Sequence, residues 1–141
     1  MFKNFELIKP EVVYGNHRFD FLLKDKDDKF FYLEVKSVTY VKNRIAKFPD
    51  AITERGTRHA KTLTKMTYDG YDTGILFVCQ RPDADRFVPM WERDYKFGSA
   101  LFDAKKAGVN IWCITTKLTE REMTLNNIIP VHLSYPSQKN I

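Results

Sequence analysis

Two short runs, GILFVCQ (74–80) and VNIWCITT (109–116), are almost wholly apolar. A strand with one wet face alternates polar and apolar residues, so an unbroken apolar run fits a strand covered on both faces, the usual condition of a parallel sheet. Parallel neighbours need a crossover connection. The intervening DYKFGSALFDAKKAG has helical spacing and ends at Gly108, a residue suited to a left-handed C-terminal cap. These three segments restrict the chain to the α/β class.

The preceding residues add an antiparallel unit. Residues 3–8 read as a short helix or loop and 11–14 as a strand, broken by Gly15-Asn16. HRFDFLL (17–23) and FFYLEVKSVTY (30–40) flank the polar cluster KDKDDK, which reads as a hairpin turn. VKNRIAKFPD (41–50) reads as loop, with Asp50 as N-cap of a helix over 51–68 that Asp69-Gly70 closes. A loop holding Pro82 and Pro89 follows the first apolar strand, and IIPVHLS near the end reads as an edge segment. The expected architecture is a mixed β-sheet flanked by helices, an antiparallel hairpin extended by parallel strands, in one domain over 1–141.

Composition narrows the class of function. The chain has 141 residues, 43% hydrophobic and 14% aromatic, enough for a folded core. No apolar run approaches the length of a bilayer-spanning helix, and MFKNFELIKPE has charges where a signal peptide has an apolar centre. A cytoplasmic protein without a membrane partner is expected. Cys79 and Cys113 lie inside the apolar runs without CxxC spacing, so they read as reduced core residues rather than zinc ligands. The net charge of +5 suits a polyanionic partner such as nucleic acid, though ordinary proteins also carry it.

Within YLEVKSVTY, Glu34 and Lys36 occupy alternate positions and so share one face of a strand. A turn centred on Asp27 sets Asp20 opposite Glu34. Facing carboxylates repel unless positive charge lies between them. Lys36 supplies one such charge, and Mg²⁺, held by Asp20, Glu34 and the Val35 carbonyl, would supply the rest. That set suits phosphodiester hydrolysis, with Lys36 placed beside the attacking water. The following helix carries Glu54, Arg58, Lys61 and Lys65 as one stripe. Its cations suit a phosphate backbone, and Glu54 at its head is a further candidate metal ligand. Arg55 and His59 form a neighbouring pair suited to the scissile phosphate. A solvated strand face and a solvated helix face account for the same patterns.

The spacing Asp20…Glu34-Val35-Lys36 is similar to that of the PD-(D/E)XK nuclease superfamily. More specifically, EVVYGNHRFDFLL, YLEVKSVT, FPDAITERG, FVCQRPD and KKAGVNI, in order from Glu11 onward, resemble the sugar fermentation stimulation protein family. The resemblance implies a restriction-endonuclease-like fold and a metal-dependent DNA or RNA nuclease of low sequence specificity, using Mg²⁺ or Mn²⁺. By motif position Asp20, Glu34 and Lys36 are its catalytic trio. Glu11 matches a family position and is a supporting acid, and Gln80 a supporting residue that holds a water or Lys36. Arg18, Arg55, Arg58, His59, Lys61 and Lys65 are the expected nucleic-acid ligands. Tyr14, Tyr40, Phe48 and Trp91 are candidates for stacking on bases. Fuller family members carry a β-barrel domain ahead of this portion, expected to be absent here and replaced by a second subunit or partner protein. The alternative is a nucleic-acid-binding protein or regulator that does not cleave.

Overall fold

The structure is a computed structural model and describes residues 2–137. Its strands are β1 (Glu6–Tyr14), β2 (His17–Lys24), β3 (Phe30–Val38), β4 (Tyr40–Lys42), β5 (Ile45–Phe48), β6 (Asp72–Cys79), β7 (Arg86–Pro89), β8 (Asn110–Leu118) and β9 (Met123–Ile129). Helices α1 (Glu54–Tyr68) and α2 (Tyr95–Ala107) complete the set. Six strands form one mixed sheet in the order β1-β2-β3-β6-β8-β9, and β4-β5-β7 form a second, smaller sheet. The expected core is present: an antiparallel β1–β2–β3 meander, with β6 and β8 added in parallel.

The hairpin turn is built by Asp25, whose side chain accepts from the N–H groups of Asp27 and Lys29 at 2.9 Å each. That fixes the β2–β3 register at Phe21↔Leu33 and Leu22↔Tyr32, and continuing it one step sets Asp20 opposite Glu34. Helix α1 buries Gly56, His59, Ala60, Leu63 and Met66, and α2 buries Phe97, Gly98, Ala100, Leu101 and Ala104. These stripes close over Phe19, Ile75, Phe77 and Phe87 in one core.

The other face of the large sheet is covered differently from expectation. A smaller cluster of Leu23, Phe31 and Leu33 is capped by Phe2 and Phe5, with Val35, Leu76 and Trp112 half-buried beside it. In the apolar run of β6, Ile75, Phe77 and Cys79 are buried on the helix side, whereas on the other face Gly74 is buried and Leu76 and Val78 are half-buried.

Four local assignments change. Residues 6–8 are strand rather than helix or loop, joined to β2 through a register shift between Leu7 and Lys9. Residues 40–48 form the β4–β5 hairpin, with left-handed backbone at Asn43 and Arg44, and β5 pairs in parallel with β7 from the supposed Pro82–Pro89 loop. The α1 N-cap is Thr53, not Asp50: its Oγ1 accepts from Gly56 N–H at 3.0 Å. The chain end adds strand β9 from Met123, antiparallel to β8, ahead of a short bridge between Val131 and Phe87. Cys79 and Cys113 are free and buried, as read. Among the described residues no helix is long and apolar enough to cross a membrane.

Candidate active site

Glu34 and Lys36 lie in the middle of β3, facing Ile75 and Phe77 of β6 in register. Apolar neighbours surround them, and Glu34 is only 3% exposed. This is the reverse of a solvated strand face. Lys36 Nζ lies 3.7 Å from Glu34 Oε2, and its side chain is 16% exposed.

Asp20 sits where β2 parts from β3. The ladder stops at Phe21↔Leu33, and the next N–H that would serve it, that of Val35, donates to Asp20 Oδ2 at 2.7 Å. In an extended chain the N–H and C=O of one residue point to the same side, so the Val35 carbonyl opens on the same gap. Asp20 also hydrogen-bonds the Glu34 carboxyl.

The two acids are driven apart in acidity. Burial, reinforced by the hydrogen bond to Glu34, raises Asp20 to about 6. Burial acts on Glu34 in the same sense, but the hydrogen bonds from His59 and Asp20 and the charge of Lys36 outweigh it and hold Glu34 at about 2. Asp20 thus keeps its proton in mild acid while Glu34 is an anion.

His59 is not where the sequence pattern places it. Its Nδ1 meets Glu34 Oε2, the oxygen that Lys36 also approaches, and both atoms are buried. It is a wall of the carboxylate pocket rather than an exposed phosphate ligand. The signal was available: His59 precedes Leu63 and Met66 by one and two turns, on the core face of α1. His17, at the start of β2, completes this wall. Its ring lies 5.9 Å from that of His59 and 6.2 Å from Phe19, and its Nε2 is 2.9 Å from Thr62 Oγ1. Burial, then His59 and Arg58, hold the His17 imidazole below its ordinary value.

Glu54 is not brought to the pair. It is exposed at the start of α1 and lines a separate cavity with Arg93, Tyr95 and Lys96. Among the described residues no group of three or more His, Cys, Asp or Glu side chains is placed to hold one metal ion. Glu11 falls between the Pro10↔Phe21 and Val12↔Phe19 pairs, hence across from Asp20. Its backbone is left-handed at φ 55° and its side chain exposed, with no contact to the pair among the described residues. Gln80 donates from Nε2 to Ser37 Oγ at 2.6 Å, and Ser37 alternates with Lys36 along β3, so its amide is committed away from the amine.

Arg55, Arg58, Lys61 and Lys65 are exposed along α1 without an ion pair among the described residues, and Arg18 is likewise exposed on β2. Of the candidate stacking rings, Trp91 is buried and Phe48 packs on Phe77 and Phe97. Tyr14 packs on Tyr32 and Tyr71, leaving Tyr40 exposed at the surface.

Comparison with known proteins places this geometry in context. Residues 1–122 match a family described as "Sugar fermentation stimulation protein RE domain". A sugar fermentation stimulation protein homolog of Clostridium perfringens is 43% identical over 130 residues, covering 92% of this chain and 56% of that protein. One from Ruminiclostridium cellulolyticum is 42% identical over 133 residues, covering 94% and 58% respectively. The chain spans about half the length of the curated relatives it matches. Among solved structures, Pyrococcus furiosus SfsA in complex with Ca²⁺ is similar with a TM-score of 0.87 and 28% identity, over 92% of this chain and 56% of that one.

Proposed function

Since this chain belongs to the sugar fermentation stimulation protein family, we propose that it is a divalent-metal-dependent nuclease acting on DNA or RNA with low sequence specificity. The observation that carries this reading is the pocket itself. Two carboxylates share a hydrogen bond in a part-buried site against one lysine, burial and that hydrogen bond raise Asp20 to about 6, and ionising both acids leaves the site short of positive charge. A hard divalent cation fits that deficit. Asp20, Glu34 and the Val35 carbonyl would hold it, with water and substrate completing the shell. The Ca²⁺ complex of the Pyrococcus furiosus relative supports a divalent-cation site on this fold. Mg²⁺ or Mn²⁺ is the working ion we assign here.

When bound, such an ion supplies charge that polarises a phosphate and eases ionisation of a water. The protein's own groups do the rest. Lys36 points its ammonium beside Glu34, where it orients the attacking water and offsets charge growing on the phosphate oxygens. The Val35 N–H fixes one Asp20 oxygen, and His59 fixes one Glu34 oxygen, so both carboxylates keep their aim. Arg18, Arg55, Arg58, Lys61 and Lys65 contribute backbone affinity without choosing sequence.

The exposed cations of α1 on their own favour a second reading, a nucleic-acid-binding protein that does not cleave. One assay separates the two. The protein is incubated with plasmid, single-stranded DNA and RNA under Mg²⁺, Mn²⁺ or chelator, beside Glu34→Ala and Lys36→Ala. Metal-dependent cleavage that falls at least about 100-fold in both variants is expected. Binding without cleavage by the natural protein, or cleavage that survives Glu34→Ala, overturns the nuclease reading.

A further inference from the structure

A cavity of about 620 Å³ opens where the N-terminal ends of α1 and α2 meet, lined by Ile52, Glu54, Arg58, Arg93, Tyr95 and Lys96 among others. Its size suits a small organic ligand or one unit of a polymer. Its charge is unbalanced in use. Asp94 also lines it, but both Asp94 oxygens are taken, Oδ2 by Thr53 N–H at 2.8 Å and Oδ1 by Phe97 N–H at 3.0 Å. Arg93 gives one nitrogen to the Asp50 carbonyl at 2.8 Å. Arg58 and Lys96 have no ion-pair partner among the described residues, and exposed Glu54 is the one acid left against three cations.

The apolar part of the lining is equally unspent. Ile52 is 72% exposed and Tyr95 56% exposed. The Tyr95 ring is braced from behind, with centroids 5.2 Å from Trp91 and 6.0 Å from Tyr135. A largely exposed ring packed against two other aromatic rings, beside an exposed isoleucine and three cations, suits a flat apolar group attached to an anion. The cavity and the carboxylate pocket are separate but share helix α1, whose Arg58 lines the one and whose next residue, His59, meets Glu34 in the other. Arg58 also acts on His17, whose ring neighbours His59 against Glu34.

We infer that this cavity receives one unpaired nucleotide of the substrate strand beside the scissile phosphate, its base on Tyr95 and Ile52 and its phosphate on Arg58, Arg93 and Lys96. The inference rests on the nuclease reading and deepens it. A base inside a duplex has both faces stacked and cannot offer one to Tyr95, so the substrate is single-stranded or frayed at this position.

Fluorescence anisotropy in chelator, which prevents cleavage, tests it with a labelled thymidine strand of about 12 nucleotides and a duplex of equal length. The natural protein binds the strand at least about fivefold more tightly than the duplex. Tyr95→Ala weakens strand binding by about fivefold to a hundredfold and leaves duplex binding within about twofold, whereas Tyr95→Phe keeps the ring and the affinity. Lys96→Ala, at an exposed and unpaired side chain that does not hold the fold, weakens strand binding by about twofold to tenfold. Equal strand affinity in the natural protein, Tyr95→Ala and Lys96→Ala, or a preference for duplex, overturns the subsite. Should metal-dependent cleavage persist in that case and still require Glu34, the nuclease reading stands and only the subsite falls. Free thymidine monophosphate competing as well as the strand would identify a mononucleotide pocket instead, and the strand assignment fails.

Discussion

Asp20 and Glu34 are the same kind of acid at opposite ends of the carboxylate range, and the difference makes a testable statement about stability. Asp20 rises from an ordinary 3.8 to about 6 in the folded chain. The folded state therefore holds that proton more tightly than the unfolded state between those two values, and stability contributed by Asp20 falls as pH climbs through the window. Glu34 works the other way, from 4.5 to about 2. Its contribution is complete above its unfolded value and is lost only as pH falls through about 2. Between pH 4.5 and 6.5, then, Asp20 alone titrates of the two. Asp20→Asn keeps an acceptor for the Val35 N–H and removes the titration. In thermal melts without divalent ions the variant unfolds at a higher temperature than the natural protein at pH 7.5. The gap narrows steadily to pH 4. A gap independent of pH would show that the carboxyl is not held protonated. The E-x-K spacing behind this pair was legible because strands alternate strictly and one turn fixes their register. The His59 contact was legible only from the phase of α1, which sets His59 on the inner face with Leu63 and Met66 although Arg55 and Arg58 beside it face outward.

At the level of elements, helices and long strands were readable and short pieces were not. Segments with a full period of pattern, such as β2, β3, β6, β8 and the bodies of both helices, are set by their own residues. Strands β4, β5 and β7 hold three or four residues each; β4–β5 is a tight local hairpin, but it is anchored by β5 pairing with β7 about forty positions away, which no local pattern encodes. The start of α1 follows the same logic. Asp50 and Thr53 are both acceptable caps by type. The choice falls on Thr53 because Asp94, which caps α2 through Phe97, also accepts the Thr53 N–H. One aspartate thereby ties the entries of both helices, and with them the cavity between. Packing also inverts a propensity at Gly98 inside α2. Alanine normally stabilises a helix interior over glycine by about 1 kcal/mol. Here a methyl group at that position would lie 2.6 Å from the Trp91 ring, which is itself 7% exposed and held by Tyr95 and Tyr135. Gly98→Ala is therefore destabilising by about 1–3 kcal/mol in urea unfolding. A stabilised variant would mean that the ring moves freely aside. Because Trp91 braces Tyr95, the same substitution also disturbs the proposed nucleotide cavity.

Across the whole molecule the distribution of charge matters more than its sum. A net charge of +5 on 141 residues is unremarkable, but Arg55, Arg58, Lys61 and Lys65 lie exposed on the one helix whose inner face presses His59 against Glu34. Inner and outer faces of α1 thus connect the carboxylate pocket with a cationic surface in a single rigid element. If that surface lies along a phosphate backbone, each cation engaged releases counterions. The logarithm of affinity then falls with the logarithm of salt by about 0.7 per phosphate for a single strand and about 0.9 for a duplex. Lys61 and Lys65 have no ion-pair partner among the described residues and sit on the exposed side of the helix, so replacing both by alanine leaves the core intact. The Lys61→Ala, Lys65→Ala double variant should lower the salt slope for single-stranded DNA by about 1.4 while keeping the melting temperature within about 2 °C. A slope equal to that of the natural protein would assign the lysines to a merely solvated helix face and move the path of the strand to Arg58 and the cavity beside it.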